Sequence, residues 1–193
     1  MPNLTANCKY CKAKIVKAEA LRVPLGYFCD TKCAYEYQLD KRQASAKKAV
    51  KKDIAIRKEK LKTVSDYAAE AQTSVNAYIR LRDKGKPCIS CDRPDTGDHQ
   101  RHASHYRSRG ACSQLRFNLD NIHASCATCN NHQSGNLIEY RIRLIKKLGS
   151  EKVQWLESQN EITRYSKSYL IRLNKVFKKR VKQLKKRRQH EFI

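Results

Sequence analysis

Apolar and polar positions along the chain fall into blocks of different period. Between residues 34 and 62 there is neither Gly nor Pro, and only Val50, Ile54 and Leu61 mark a sparse apolar stripe among Lys, Arg, Ala and Gln. This pattern predicts a solvated helix that links two modules. Ser65 is placed to N-cap a second helix, in which Tyr67, Ala71, Val75, Tyr78 and Ile79 return to one face at helical spacing. That face should pack on the domain that follows, and Gly85-Lys86-Pro87 ends the helix. The period is then lost over residues 88–136, which read as loop-rich. Leu137, Arg141, Leu144, Ile145 and Leu148 mark an amphipathic helix stopping at Gly149, and Ser150 caps a short helix around Val153 to Leu156. From Thr163 to Gln189, Leu170, Leu173, Phe177 and Leu184 form one stripe among Lys and Arg. This segment is either a surface helix packed on the domain or a short dimerising coil with a basic face.

Composition limits how much core these elements can build. Of 193 residues, 31% are charged and 8% aromatic, and the mean hydropathy is −0.79, so another staple is expected. Nine cysteines can supply it. The N-terminal MPNLTANCKY has no apolar h-region and no stretch is long and apolar enough for a membrane span, so a cytoplasmic location with reduced thiols and no membrane partner is expected. Eight cysteines fall in close pairs, which favours zinc over disulfides. Cys88-x2-Cys91 and Cys126-x2-Cys129 form one quartet; Cys8-x2-Cys11 and Cys29-x3-Cys33, separated by a Pro24-Leu25-Gly26 turn, form a second. A Cys-x2-Cys turn presents two sulfurs to one side of an ion, and two such turns complete a tetrahedron. Cys112 is left over as a plain small residue.

The formal net charge is +24 and the pI about 9.9, with 42 Lys and Arg against 18 Asp and Glu. So one-sided a balance points to a polyanion, with nucleic acid foremost. It does not separate DNA from RNA.

A closed four-cysteine site is structural, so any catalysis must come from what lies between the pairs. Between Cys91 and Cys126 lie Asp98, His99, His102, His105, Asn121 and His123, and after Cys129 come Asn130, Asn131 and His132. Five of the six histidines sit in this window. Phosphodiester hydrolysis needs a base for water, a cation at the phosphate and a polar residue to orient the base, which His, Asn and a hard-metal ligand can supply.

A His on the excursion, Asn121 five residues before the third cysteine and Asn130 after the fourth resemble the HNH (ββα-metal) nuclease pattern. That resemblance implies His105 as general base, Asn121 as the residue orienting its ring, and Asn130 as a ligand of Mg²⁺ or Mn²⁺. Many such nucleases carry Asp or His directly before the base, where this chain has Ser104; His102 is the substitute second ligand, ahead of Asp98 and His99. His123 and His132 are placed to contact phosphate or metal, or to make structural hydrogen bonds. A closer resemblance spans residues 87–149. Pro87-Cys-Ile-Ser-Cys91, His105-Tyr106, Gln114-Leu-Arg-Phe-Asn118, Asn121-Ile-His123, Cys126-x2-Cys129-Asn130, His132 and Ser134-Gly-Asn-Leu137 are similar to the NinG (Rap) recombination nucleases of lambdoid phages. It extends upstream through the run from Val75 to Asp83 and more loosely to the first cysteine quartet. Members of this family are implied to be endonucleases that cut branched intermediates such as D-loops and Holliday junctions. They carry Asp where this chain has His102.

The expected architecture is therefore α+β and mainly helical. A zinc-stapled ββα-metal core at 65–158 follows an N-terminal zinc knuckle at 1–33 and a basic linker at 34–64, and a basic helix at 159–193 ends the chain. Arg107, Arg109, Arg116, Lys178, Lys179 and Arg180 are expected to meet phosphates alongside His123 and His132. Two structural Zn²⁺ and a catalytic Mg²⁺ or Mn²⁺ are the expected cofactors; branched DNA, a second copy of the chain and recombination proteins are the expected partners. The competing readings are a non-catalytic zinc protein that binds nucleic acid and an HNH enzyme that cuts linear duplex.

Overall fold

The computed structural model describes residues 4–190, and the chain divides into two compact units between Leu61 and Lys62. No helix among the described residues is long and apolar enough to cross a membrane.

The first unit begins with two hairpins whose strands are too short for any hydrophobic period to announce. Strand β1 (Thr5–Asn7) pairs antiparallel with β2 (Lys14–Val16), and β3 (Leu21–Val23) with β4 (Gly26–Phe28). Their core is Cys8, Phe28 and Ala34, with the Phe28 ring 5.3 Å from that of Tyr37. Three buried side chains cannot stabilise a fold of this length, which leaves the cysteines to hold it. Asp30 accepts from the Cys33 amide at 2.7 Å and caps the first turn of α1 (Thr31–Leu61). At about 1.5 Å per residue the helix is about 46 Å long, and Ala34 is its only buried residue. The solvated helix expected from residue 34 thus starts three residues earlier and takes Cys33 into its first turn.

The second unit opens with α2 (Val64–Arg82), capped by Thr63 and not by Ser65. Thr63 Oγ1 accepts from the Asp66 amide at 3.2 Å while the Asp66 carboxylate accepts from the Thr63 amide at 2.8 Å. Position 66 supplies the acid that closes this reciprocal box; three residues after Ser65 stands Ala68, which cannot. A two-stranded antiparallel sheet follows, β5 (Arg101–His105) with β6 (Ile122–Cys126), in the register Arg101↔Cys126 to His105↔Ile122. The chain then makes a wide helical turn over Thr128–His132 before α3 (Leu137–Leu148), α4 (Ser150–Ser158) and α5 (Lys167–His190).

Two cores sandwich the hairpin. On one side Tyr67, Ala71, Val75 and Ile79 of α2 meet Phe117, Ile122, Leu170 and Phe177, so the apolar stripe of α5 is spent on α2. On the other, Tyr140 and Leu144 of α3 and Val153 and Leu156 of α4 enclose Tyr106, Cys112 and Leu115. A buried ion pair ties the end of α2 to β6. The Arg82 guanidinium donates to both oxygens of Asp83 (2.9 and 2.7 Å) and to the carbonyls of Leu119 (3.1 Å) and Ile122 (2.9 Å), and the Ala124 amide donates to Asp83 at 3.1 Å. Burial alone would raise the Asp83 pKa, but Arg82, Lys147 and the Ala124 amide outweigh it, and the carboxyl is held below its ordinary range.

Candidate active site and metal centres

The Cys8–Cys11 and Cys88–Cys91 turns are built alike. In the first, the Cys8 amide donates to the Ala13 carbonyl (2.8 Å) and the Lys12 amide to the Cys8 carbonyl (3.1 Å). In the second, Cys88 donates to Arg93 (2.8 Å) and Asp92 to Cys88 (3.0 Å). The residue after each second cysteine takes a left-handed backbone, Lys12 at φ 67° and Asp92 at φ 57°, which folds the turn so that both sulfurs face inward. Cys8, Cys11, Cys29 and Cys33 bring their sulfurs within 4.8 Å of one another, as do Cys88, Cys91, Cys126 and Cys129. The Cys11–Cys29 and Cys91–Cys126 sulfur separations are 3.4 and 3.8 Å. A tetrahedron with Zn–S of about 2.3 Å has sulfur–sulfur edges of about 3.8 Å, so both quartets fit zinc. Amides already point at the thiolates: Ser90 and Cys126 donate to Cys88 Sγ (3.4 and 3.3 Å) and Cys129 donates to Cys126 Sγ (3.5 Å).

The thiols of each quartet differ in how readily they ionise. Burial opposes ionisation of Cys8, yet the amides of Cys29, Cys11 and Tyr10 pull it down to about 6. Its neighbours move the other way: Cys29 is raised to about 11, first by its contact with the Cys11 thiol, and Cys33 to about 12, first by burial. In the second quartet Cys126 falls to about 7, amides and neighbouring thiols outweighing burial, while burial drives Cys129 up. Four thiols this close cannot all ionise unless a positive ion shares them.

His105 ends β5, and the loop to β6 holds its ring. Nε2 lies 3.0 Å from the Arg116 carbonyl. A carbonyl can only accept, so the proton sits on Nε2 and Nδ1 carries the lone pair. Burial lowers the imidazole pKa, and the charges of Arg109 and Arg116 lower it further, leaving a neutral ring at neutral pH. The fully buried Asn121 fixes this loop and does not touch the ring. Its Oδ1 accepts from the Arg107 amide (2.8 Å), and its Nδ2 donates to the carbonyls of Arg107 (3.0 Å) and Leu115 (3.1 Å). Support of His105 by Asn121 therefore runs through the backbone, and the group that orients the ring is the Arg116 carbonyl.

The other expected residues separate. His102 pairs with Ser125 and His105 with Ile122, and strand alternation puts the two imidazoles on opposite faces, His102 with Ser104, His123 and Ser125. His102 Nε2 is buried with no hydrogen-bond partner, and so is His99 Nε2, whose ring donates from Nδ1 to Asp98 at 2.6 Å. Asn130 lies in the turn after β6, its Nδ2 donating to Asn131 (2.8 Å), and His132 at the end of that turn is exposed. His123 is corrected from a phosphate-facing residue to an interior one. It is 2% exposed, its Nδ1 is 3.2 Å from the Tyr140 hydroxyl, which itself donates to the Ser104 carbonyl, and burial lowers its pKa to about 3. Among the described residues, only the two cysteine quartets bring three or more His, Cys, Asp or Glu ligand atoms together.

The expected phosphate contacts also sort themselves. Arg109, Lys178, Lys179 and Arg180 are exposed, with the Arg180 guanidinium 5.1 Å from the Phe177 ring. Arg107 is engaged with Gln159 (3.3 Å) and Asn160 (2.8 Å). Arg116 donates to Gln72 of α2 at 3.2 Å and lies over the Phe117 ring. Gln72, which braces His105 at one remove through Arg116, and Tyr140, which meets His123 directly, carry no local signal of these tasks, because each acts from a helix distant in sequence.

The family described as bacteriophage lambda NinG protein matches residues 2–188. The protein named ninG of Escherichia phage lambda is 38% identical over 176 residues, covering 84% of this chain and 85% of that protein. Its counterpart in Salmonella phage P22 is 37% identical over 173 residues, covering 82% and 84%, and that of Enterobacteria phage H19B is 45% identical over 113 residues, covering 58% and 55%. No solved structure matches.

Proposed function

Since the chain belongs to the NinG family of lambdoid phages, we propose that it is a metal-dependent endonuclease that cuts branched DNA recombination intermediates, Holliday junctions and D-loops among them. The observation that carries this reading is the His105 imidazole, neutral and with its proton confined to Nε2 by the Arg116 carbonyl. Such a ring is a ready base: Nδ1 takes a proton from water, the hydroxide attacks phosphorus in line, and the bond to the 3′ oxygen breaks to leave a 5′-phosphate and a 3′-hydroxyl. Asn130 and His102 would hold the divalent ion, whose contribution is to neutralise charge on the scissile phosphate; because His102 and His105 leave opposite faces of β5, that phosphate would have to lie across the free edge of the strand. The orphaned Nε2 of His102 is the atom suited to it. Arg109 and the basic side chains of α1 and α5 would grip backbone phosphates without reading bases, so that shape governs where the enzyme cuts. A symmetric cut of a four-way junction calls for two copies of the chain.

The test is a panel of labelled four-way junction, D-loop and linear duplex, each incubated with the zinc-loaded protein and Mg²⁺ or Mn²⁺. Cutting confined to the branched substrates is expected. Equal cutting of linear duplex overturns the substrate assignment, and intact DNA in every lane despite demonstrated binding leaves a non-catalytic zinc protein.

A further inference from the structure

The hairpin end nearest the second quartet holds a set of polar atoms that the fold leaves unsatisfied. His99 has a side chain only 10% exposed, and its Nδ1 donates to the Asp98 carboxylate at 2.6 Å. Asp98 is itself held as an anion by the Thr96 hydroxyl and by Arg93, 3.9 Å away. A ring that donates from Nδ1 presents a lone pair at Nε2, and this atom is buried with no partner. Three residues on, His102 Nε2 is buried and equally without a partner. Directly across the sheet from His102, the hydroxyl of the fully buried Ser125 also has none. A buried polar atom without a protein partner calls for an ion or water to complete it; Nε and Nη1 of Arg101, between the two histidines, are unmet as well. A carboxylate that fixes the tautomer of an imidazole is the usual support of a metal-ligating His.

We propose that His99 and His102 together ligate one divalent transition-metal cation, that Asp98 positions the His99 ring for it, and that two imidazoles make the site select Mn²⁺ or Co²⁺ over Mg²⁺. The selectivity follows from ligand chemistry, because imidazole suits transition metals while Mg²⁺ keeps to oxygen. This extends the proposed nuclease by replacing a single His102 ligand with a pair, and it rests on that reading of His102.

The experiment titrates Mn²⁺ into the full chain with both quartets zinc-loaded and reads free Mn²⁺ by electron paramagnetic resonance. The wild type is expected to take up one equivalent per chain and to keep it against a hundredfold excess of Mg²⁺. Asp98→Asn should weaken uptake by about 10- to 100-fold, and His99→Ala and His102→Ala by at least as much, with zinc content and circular dichroism unchanged. No uptake by the wild type, or uptake by Asp98→Asn and His99→Ala equal to it, overturns the site. Junction cutting measured on the same samples keeps the two ideas apart. Cutting without His99-dependent uptake rejects the paired site and leaves the nuclease standing, whereas His99-dependent uptake with intact DNA supports the site and rejects the nuclease.

Discussion

Asn121→Ala tests how the His105 loop is held. The side chain makes three hydrogen bonds, all to backbone and all at fully buried Asn121: one from the Arg107 amide and two to the Arg107 and Leu115 carbonyls. Alanine removes all three and returns no partner. At about 1 kcal/mol net for each bond, the loss is about 3 kcal/mol, and stranding three backbone groups in a dry interior adds to it. With a urea slope of about 2 kcal/mol per molar for a unit of this size, the midpoint should fall by about 1.5 M. Urea unfolding of the zinc-loaded protein, followed by the fluorescence of Trp155 in α4, measures this for the second unit. The loop so loosened, residues 106–121, includes Arg116, whose carbonyl sets the His105 tautomer. In the surviving folded fraction, therefore, cutting should drop well beyond the loss of folded protein. A midpoint shift under about 0.5 M, or activity that tracks only the folded fraction, would refute the argument that Asn121 acts by pinning this loop.

Three further outcomes are expected. The folded pKa of Asp83 lies below its unfolded value of about 3.9, so the Arg82–Asp83 pair contributes fully above that value and its contribution is lost as pH falls through the folded pKa. Asp83→Asn should lower the urea midpoint at neutral pH and flatten the acid dependence; an unchanged acid profile would contradict this. Stripping zinc with a chelator should unfold both cysteine-held regions, since metal binding of about 10 kcal/mol per site is folding energy there. Cobalt reconstitution should show thiolate charge-transfer bands saturating at two equivalents, and at one in Cys88→Ser. Because burial and two arginines lower the His105 pKa from its ordinary value of about 6.5, the base stays neutral below that pH, and the acid limb of the cutting rate should lie below 6.5 as well.

The elements that local pattern governs were legible in the chain. Both quartets follow from closely paired cysteines, Cys-x2-Cys in three pairs and Cys-x3-Cys in the fourth, and α2, α3, α4 and α5 from apolar residues returning every three or four positions. What was not legible depends on partners distant in sequence or on backbone. Strand β6, Ile-His-Ala-Ser-Cys, is buried at all five positions, so its polar letters give no alternation to show that His123 points inward. Only Tyr140 of α3, 17 residues away, supplies the hydroxyl that makes that burial tolerable. The carbonyl that sets the His105 tautomer has no side-chain signature, and neither do the three-residue strands of the first unit. The choice between Thr63 and Ser65 was open to sequence reasoning, because only Thr63 has an acid three residues on.

Single-turnover cutting of a four-way junction by zinc-loaded His105→Ala measures the role of His105 as the base directly. The expected rate is lower by about 10²- to 10⁴-fold, with zinc content and junction affinity unchanged, because the imidazole is lost while the quartets and the basic surface remain. His105→Ala cutting within a few-fold of wild type would contradict it.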